Sequence, residues 1–115
     1  SENIQENERI KKVFNYIRRS YKEEVSLNEV SELVFMTPPS FCRYFKSKTN
    51  KTFTTFLNEY RINNALKLLA QSELDIKNIC FQCGYNNFSH FNRLFKKQIQ
   101  MTPSEYRRKM NSQES

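Results

Sequence analysis

The chain has 115 residues, one domain's worth by length, although two small lobes would fit. A single Gly, three Pro and few Val or Thr runs exclude a sheet-rich fold, and 37% hydrophobic with 14% aromatic content excludes global disorder. The net charge of +7 favours polyanionic partners, and no apolar run approaches the roughly 20 residues of a membrane span.

The charge is also one-sided. Residues 1–37 hold six basic and seven acidic residues, whereas residues 38–115 hold thirteen basic and five acidic ones. No acid occurs from Pro38 to Asn58 or from Ile76 to Ser104. Three cysteines, an odd number, fit a reduced cytoplasmic protein better than a disulfide scaffold. No signal-peptide pattern opens the chain, and its start at Ser1 without Met suggests a piece of something longer.

Residues 1–7 are polar and are expected to be flexible. Glu8 to Tyr21 reads as a helix, with Ile10, Val13, Phe14 and Ile17 on its apolar face. Ser26 and Glu29 have capping-box spacing at the start of a short helix, whose buried face is expected to be Leu27, Val30, Leu33 and Val34. After a turn at Phe35-Met36-Thr37, Thr37 caps a helix from Pro38 to about Lys48, with Phe41, Tyr44 and Phe45 inward.

Thr52 caps the longest helix, Thr52 to Ala70, in which Phe53, Phe56, Leu57 and Tyr60 recur at i, i+3, i+4 and i+7. At 1.5 Å per residue it would span roughly 28 Å. Asp75 then caps a short helix to about Cys83, with Ile76, Ile79, Cys80 and Cys83 inward, and Gly84 stands where a left-handed residue ends it. Asn86 or Asn87 caps a helix to about Ile99, with Phe91, Leu94 and Phe95 inward. Thr102-Pro103 opens a last helix to about Met110, and residues 111–115 form a polar tail.

A repeat emerges from this order. Ser26-Leu27-x-x-Val30 matches Asp75-Ile76-x-x-Ile79, and Phe41-x-Arg43-x-Phe45-Lys46 matches Phe91-x-Arg93-x-Phe95-Lys96. The offset is 49 before the turn and 50 after it, which places one extra residue near Phe88 in the second copy. Each copy is a short capped helix, a tight turn and a longer basic helix. That is the grammar of a helix-turn-helix, whose second helix enters the DNA major groove. The expected architecture is all-α, with a first lobe at 8–51, a linker helix at 52–70 and a second lobe at 71–110.

These residues resemble the DNA-binding domain of the AraC/XylS family of transcription regulators over about residues 8–109. The most specific stretches are Ile79-Cys80-x-x-Cys83-Gly84-Tyr85, Ser89 to Lys97 and Met101 to Arg108, supported by Tyr60-Arg61-Ile62-x-x-Ala65. The resemblance implies seven helices in a monomeric domain with two reading helices in successive major-groove segments. It implies sequence-specific binding of double-stranded DNA, commonly for activation through RNA polymerase. It also implies a separate sensing or dimerisation domain outside this chain.

Carried over by position, the base-reading candidates are Pro39, Cys42 and Arg43 in the first copy and Phe88, Ser89, His90, Asn92 and Arg93 in the second. Arg43 and Arg93 suit bidentate pairing with guanine, and Asn92 suits adenine, although either arginine alternatively bonds phosphate only. Phe88 is either a thymine-methyl contact or a ring closing the turn. Lys46, Lys48, Lys51, Lys96 and Lys97 are phosphate candidates, with backbone amides near Thr37, Thr52, Asn86 and Thr102.

Two positions depart from the family pattern. Pro39 and Cys42 are short, so the first copy is expected to read fewer bases and more shape. Asn50 and Gln100 replace glycines, and Gln tolerates a left-handed backbone poorly, so strain or a different turn is expected before Met101.

Other chemistries fit less well. Cys80-x-x-Cys83 has redox or half-zinc-site spacing, but both thiols fall on an apolar face and no second such pair exists. One His, no phosphate-binding glycine loop and no paired acids in the basic half leave no catalytic constellation, cofactor or metal to expect. The remaining rival is a basic helical protein-interaction module with only non-specific DNA affinity.

Overall fold

The computed structural model describes residues 2–113, with side chains described from Ile4 onward. Seven helices run in the order α1 (Glu2–Ser20), α2 (Leu27–Leu33), α3 (Pro38–Thr49), α4 (Phe53–Gln71), α5 (Ile76–Gln82), α6 (Phe88–Ile99) and α7 (Pro103–Gln113). No strand occurs among the described residues. The chain forms two compact units, Ser1–Leu57 and Asn58–Ser115. The break falls inside α4.

The first unit is filled mainly by rings. Phe41, Phe45 and Phe53 meet with centroids 5.4–5.8 Å apart, two of the three contacts edge-on. Phe56 packs edge-on against Phe45 at 5.3 Å and stacks on Phe14 at 5.5 Å. Such offset and edge-on arrangements are the ones the ring quadrupole favours. Val13, Tyr16 and Ile17 of α1 and Val30 and Val34 of α2 complete this core.

Three expectations for this unit need correction. Helix α1 begins at Glu2 rather than Glu8, and Glu6 ties its first turns down through ion pairs with Arg9 at 3.2 Å and Lys48 at 2.9 Å. Leu27 and Leu33 are exposed, and the inward position between Val30 and Val34 belongs to Ser31. The Ser31 hydroxyl is satisfied by donating to the Leu27 carbonyl at 2.7 Å. Finally, the Ser26–Glu29 capping box is completed through a third residue. The Ser26 hydroxyl accepts from the Glu29 amide, but the Ser26 amide donates to the Tyr16 hydroxyl at 3.2 Å, which in turn donates to the Glu29 carboxylate at 3.0 Å.

The second unit packs Ile62, Ala65 and Leu69 of α4 against Ile79, Cys80, Cys83, Tyr85, Phe91 and Phe95. Its α7 starts with a full reciprocal box. The Glu105 amide donates to the Thr102 hydroxyl and the Thr102 amide to the Glu105 carboxylate, both at 3.1 Å. Those bonds hold the Glu105 carboxyl below its ordinary range. Tyr106 of α7 sits edge-on to Phe95 at 6.1 Å, bracing α6 from behind. The tail is shorter than expected: α7 runs to Gln113, and residues 114 and 115 lie outside the described residues.

Candidate nucleic-acid interface

Each unit builds its longer basic helix in the same way. Thr37 caps α3 by accepting from the Ser40 amide at 3.3 Å, and Asn87 caps α6 by accepting from the His90 amide at 2.8 Å. The cap is therefore Asn87 rather than Asn86. The turns before the two helices differ by one residue, 34–37 against 83–87, which puts the extra residue of the second copy in the turn just before Phe88.

Both turns require a left-handed residue. Gly84 supplies it in the second unit at φ 97°, but in the first unit Phe35 adopts φ 58° with its ring 91% exposed. The following amides bond back in parallel, Met36 to the Ser31 carbonyl at 3.0 Å and Tyr85 to the Cys80 carbonyl at 3.1 Å. Helices α3 and α6 also end left-handed, Asn50 at φ 62° and Gln100 at φ 68°. The turn before Met101 is thus built like the Asn50 turn despite its less suitable residue. Gln100 offsets part of the strain by donating from its side-chain amide to the Lys97 carbonyl at 2.9 Å.

The buried faces of α3 and α6 are Phe41/Phe45 and Phe91/Phe95, which leaves the sequence-predicted residues on the opposite faces. Pro39, Cys42 and Arg43 are exposed on α3, as are Ser89, His90 and Arg93 on α6, with Asn92 half-buried. Phe88 is half-buried, 6.4 Å from Phe91 and packed against the core. In both units the arginine leans on the side chain three residues earlier. Arg43 donates to the Ser40 hydroxyl at 3.3 Å, and Arg93 donates to His90 Nδ1 at 2.9 Å.

The phosphate candidates are not equivalent. Lys46, Lys96 and Lys97 are exposed in the last turns of their helices, where a cation also complements the helix dipole. Lys51, Thr52 and Thr37 are exposed as well, and Thr52 caps α4 by accepting from the Thr55 amide at 3.1 Å. Asn86 is exposed in the turn, and Thr102 is half-buried and engaged with Glu105. Lys48 is held by Glu6, and this hydrogen bond pushes the Lys48 ammonium up and the Glu6 carboxyl down from their ordinary values.

Sequence reasoning missed two supports of the second unit. Arg107 donates to three backbone carbonyls, Leu69 at 3.1 Å, Leu74 at 2.6 Å and Ser72 at 3.2 Å, and so clamps the end of α4 to the loop before α5. Tyr85 donates to the Asn58 side chain at 3.0 Å, carries the Arg61 guanidinium 5.5 Å over its ring and stands edge-on to His90 at 5.9 Å. Burial pushes the Tyr85 phenol up to about 12 and the Arg61 guanidinium down. Both residues stood in the quoted motifs, but nothing in spacing alone marked them as packing partners.

The thiols of Cys80 and Cys83 are fully buried, and burial pushes Cys80 up, which disfavours the reactive thiolate. Cys80 instead donates weakly to the carbonyls of Tyr85 and Asn87 at 3.8 and 4.0 Å. They are core residues that shape the turn.

Comparison with known proteins agrees with this architecture. The Helix-turn-helix domain family model matches residues 30–109. An uncharacterised HTH-type transcriptional regulator of Bacillus subtilis, YdeC, is 35% identical over 104 residues, covering 90% of this chain and 35% of its own length. The chain thus spans about a third of that relative. The C-terminal domain of the two-component response regulator yesN from Fusobacterium nucleatum shares 30% identity at a TM-score of 0.78, covering 83% of this chain and 93% of that one. The DNA-binding domain of AdpA, solved with a target DNA, shares the fold at a TM-score of 0.84 and 20% identity, covering 91% and 94%. The chain belongs to the helix-turn-helix domain family, as a DNA-binding domain of the AraC/XylS type.

Proposed function

We propose that this domain reads double-stranded DNA with both α3 and α6, each entering the major groove, and that Arg43 and Arg93 are its principal base contacts. The observation that carries this is the double placement of an exposed arginine. Each sits on the face opposite a fully buried phenylalanine pair, three residues after the side chain it leans on. A guanidinium fixed by a rigid helix matches the paired acceptors of guanine. Pro39, Cys42, Ser89, His90 and Asn92 flank the two arginines as shorter-range contacts, whereas Phe88 serves the turn.

Lys46, Lys51, Lys96 and Lys97, with the amides at the capped helix starts near Thr37, Thr52, Asn86 and Thr102, hold the phosphates. Lys48 does so only after leaving Glu6. The role is binding rather than catalysis, in the cytoplasm and on the nucleoid, as the DNA-contacting part of an activator that meets RNA polymerase and carries a sensing or dimerisation domain elsewhere.

The experiment compares Arg93→Ala with Lys97→Ala on selected and random DNA across a salt series. Arg93→Ala should weaken the selected site by about 1–3 kcal/mol and relax one base preference. Lys97→Ala should weaken all sequences alike and reduce the salt slope by about one. Equal loss on selected and random DNA for Arg93→Ala would refute its base-reading role.

A further inference from the structure

Phe35 is at odds with its surroundings in two ways. It holds φ 58°, a region in which a β-carbon crowds the following carbonyl oxygen. Its ring is 91% exposed, so burial does not offset that strain. The turn itself does not need a ring. At the offset of 49 the same place in the second unit is Gly84, which makes its turn at φ 97° with no side chain. Strain that the fold does not use points to function.

Phe35 lies on a groove of about 470 Å³ between the start of α1 and the end of α2. Its apolar lining includes Ile4, Leu33 and Phe35, all exposed, beside the buried Val34. The charged lining is Arg9 and Lys12 with one acid, Glu8. A second hollow continues it along α1, sharing Lys12 and Leu33 and adding Asn15, Arg18 and Arg19. Ile4, Glu8, Lys12, Asn15 and Arg19 recur every three or four residues and so form one stripe of α1. From Ile4 to Arg19 the stripe runs roughly 22 Å. Arg9 is paired with Glu6, but Lys12, Arg18 and Arg19 have no acidic partner among the described residues. None of these residues belongs to the candidate nucleic-acid interface.

We propose that this groove receives an acidic amphipathic helix of a partner protein. Apolar side chains at i, i+3 or i+4, and i+7 of that helix meet Ile4, Leu33 and Phe35, the way amphipathic helices lie in apolar grooves. Carboxylates on its flank meet Lys12, Arg18 and Arg19. The length of the stripe matches about four turns of a partner helix. A nucleic-acid phosphate has no use for three exposed apolar side chains, and a flat lipid surface does not fill a groove. Because the groove and the candidate nucleic-acid interface share no residue, the helix and DNA bind together.

The test selects peptides of about 16 residues, long enough for four turns, from a displayed random library on the domain. Survivors are counter-selected against the Phe35→Gly variant, which keeps the turn and removes the ring. This step discards peptides that merely follow the net charge. Peptides that remain should be acidic, with apolar residues at helical spacing. Made synthetically, they should bind Phe35→Gly roughly ten- to hundredfold more weakly, the worth of one buried phenylalanine. Lys12→Glu should weaken them several-fold and reduce the salt dependence of binding. Phe35→Gly should unfold in urea no earlier than wild type and keep its affinity for random DNA, which shows that the ring and not the fold was lost. No surviving peptide, or survivors that are neutral or basic, would overturn the proposal. So would a loss of DNA affinity in Phe35→Gly as large as its loss of peptide, which would assign the ring to DNA. Sedimentation of the domain with phosphatidylglycerol vesicles that depends on Phe35 would likewise replace the helix with a lipid surface.

Discussion

Arg107 offers the sharpest test of how the second unit is held together. Its guanidinium donates to the carbonyls of Leu69, Ser72 and Leu74, joining the C-terminal end of α4 to the loop that enters α5. The last carbonyls of a helix lack intrahelical partners and carry the negative end of its dipole, so a cation there satisfies both. Hydrogen bonds to charged groups contribute about 1.5–3 kcal/mol each. The Leu74 contact is exposed and the side chain half-exposed, so screening lowers the total to roughly 2–3 kcal/mol.

Arg107→Met, which preserves much of the aliphatic stem, should destabilise the domain by about that amount and lower the melting temperature by about 10 °C. Arg107→Lys keeps the charge but cannot span three carbonyls, and should lose about half as much. Urea unfolding followed by far-UV circular dichroism gives the difference, with amide exchange in α5 and α6 locating it. An Arg107→Met variant within about 0.5 kcal/mol of wild type, the range of ordinary surface substitutions, would refute the clamp.

Phe35 and Gln100 hold left-handed conformations at φ 58° and 68°, where a β-carbon costs about 1–2 kcal/mol. Phe35→Gly and Gln100→Gly should each stabilise by about 1 kcal/mol in urea unfolding; destabilisation by Phe35→Gly would show that its exposed ring contributes contacts. Glu6→Gln removes the carboxylate that holds Lys48 and Arg9. Random-DNA affinity should rise and the salt slope steepen by up to about one, measured by anisotropy at several salt concentrations; an unchanged slope would mean that Lys48 faces no phosphate. For Tyr85 the folded phenol is raised to about 12 from an ordinary value of about 10, so its stabilising contribution is complete below about pH 10 and is lost as pH climbs through 12. Tyr85→Phe should flatten that alkaline slope while losing about 1 kcal/mol at neutral pH with the Asn58 hydrogen bond.

Much of this molecule was legible in the sequence because capping and periodicity are local. Ser26, Thr37, Thr52 and Asp75 each cap the helix their spacing announced, and Phe41/Phe45 and Phe91/Phe95 are buried as the repeat required. The twofold pattern of Arg43 and Arg93 placed both on exposed faces for the same reason. What escaped was non-local. Glu6 orders the start of α1 only because Lys48, distant in sequence, folds back against it. Tyr16 completes a helix cap ten residues away, and Arg107 reaches carbonyls more than thirty residues earlier. Leu27 and Leu33 misled because a seven-residue helix shows too little of its period to choose between adjacent faces, and the small Ser31 took the buried place. Spacing likewise left the partners of Lys48 and His90 undetermined, since each is decided by which side chains converge.

The most direct test of the central reading is selection of bound DNA from a random library of about 30 base pairs by the purified domain, repeated at low and moderate salt. A turn of B-DNA is about 34 Å, so two reading helices in successive major-groove segments predict two short preferred blocks about one turn apart. Both should survive the added salt, each with a guanine that is lost on Arg43→Ala or Arg93→Ala. Absence of any enriched sequence, with binding that disappears as salt rises, would contradict the account and leave a basic module that meets DNA through phosphates alone.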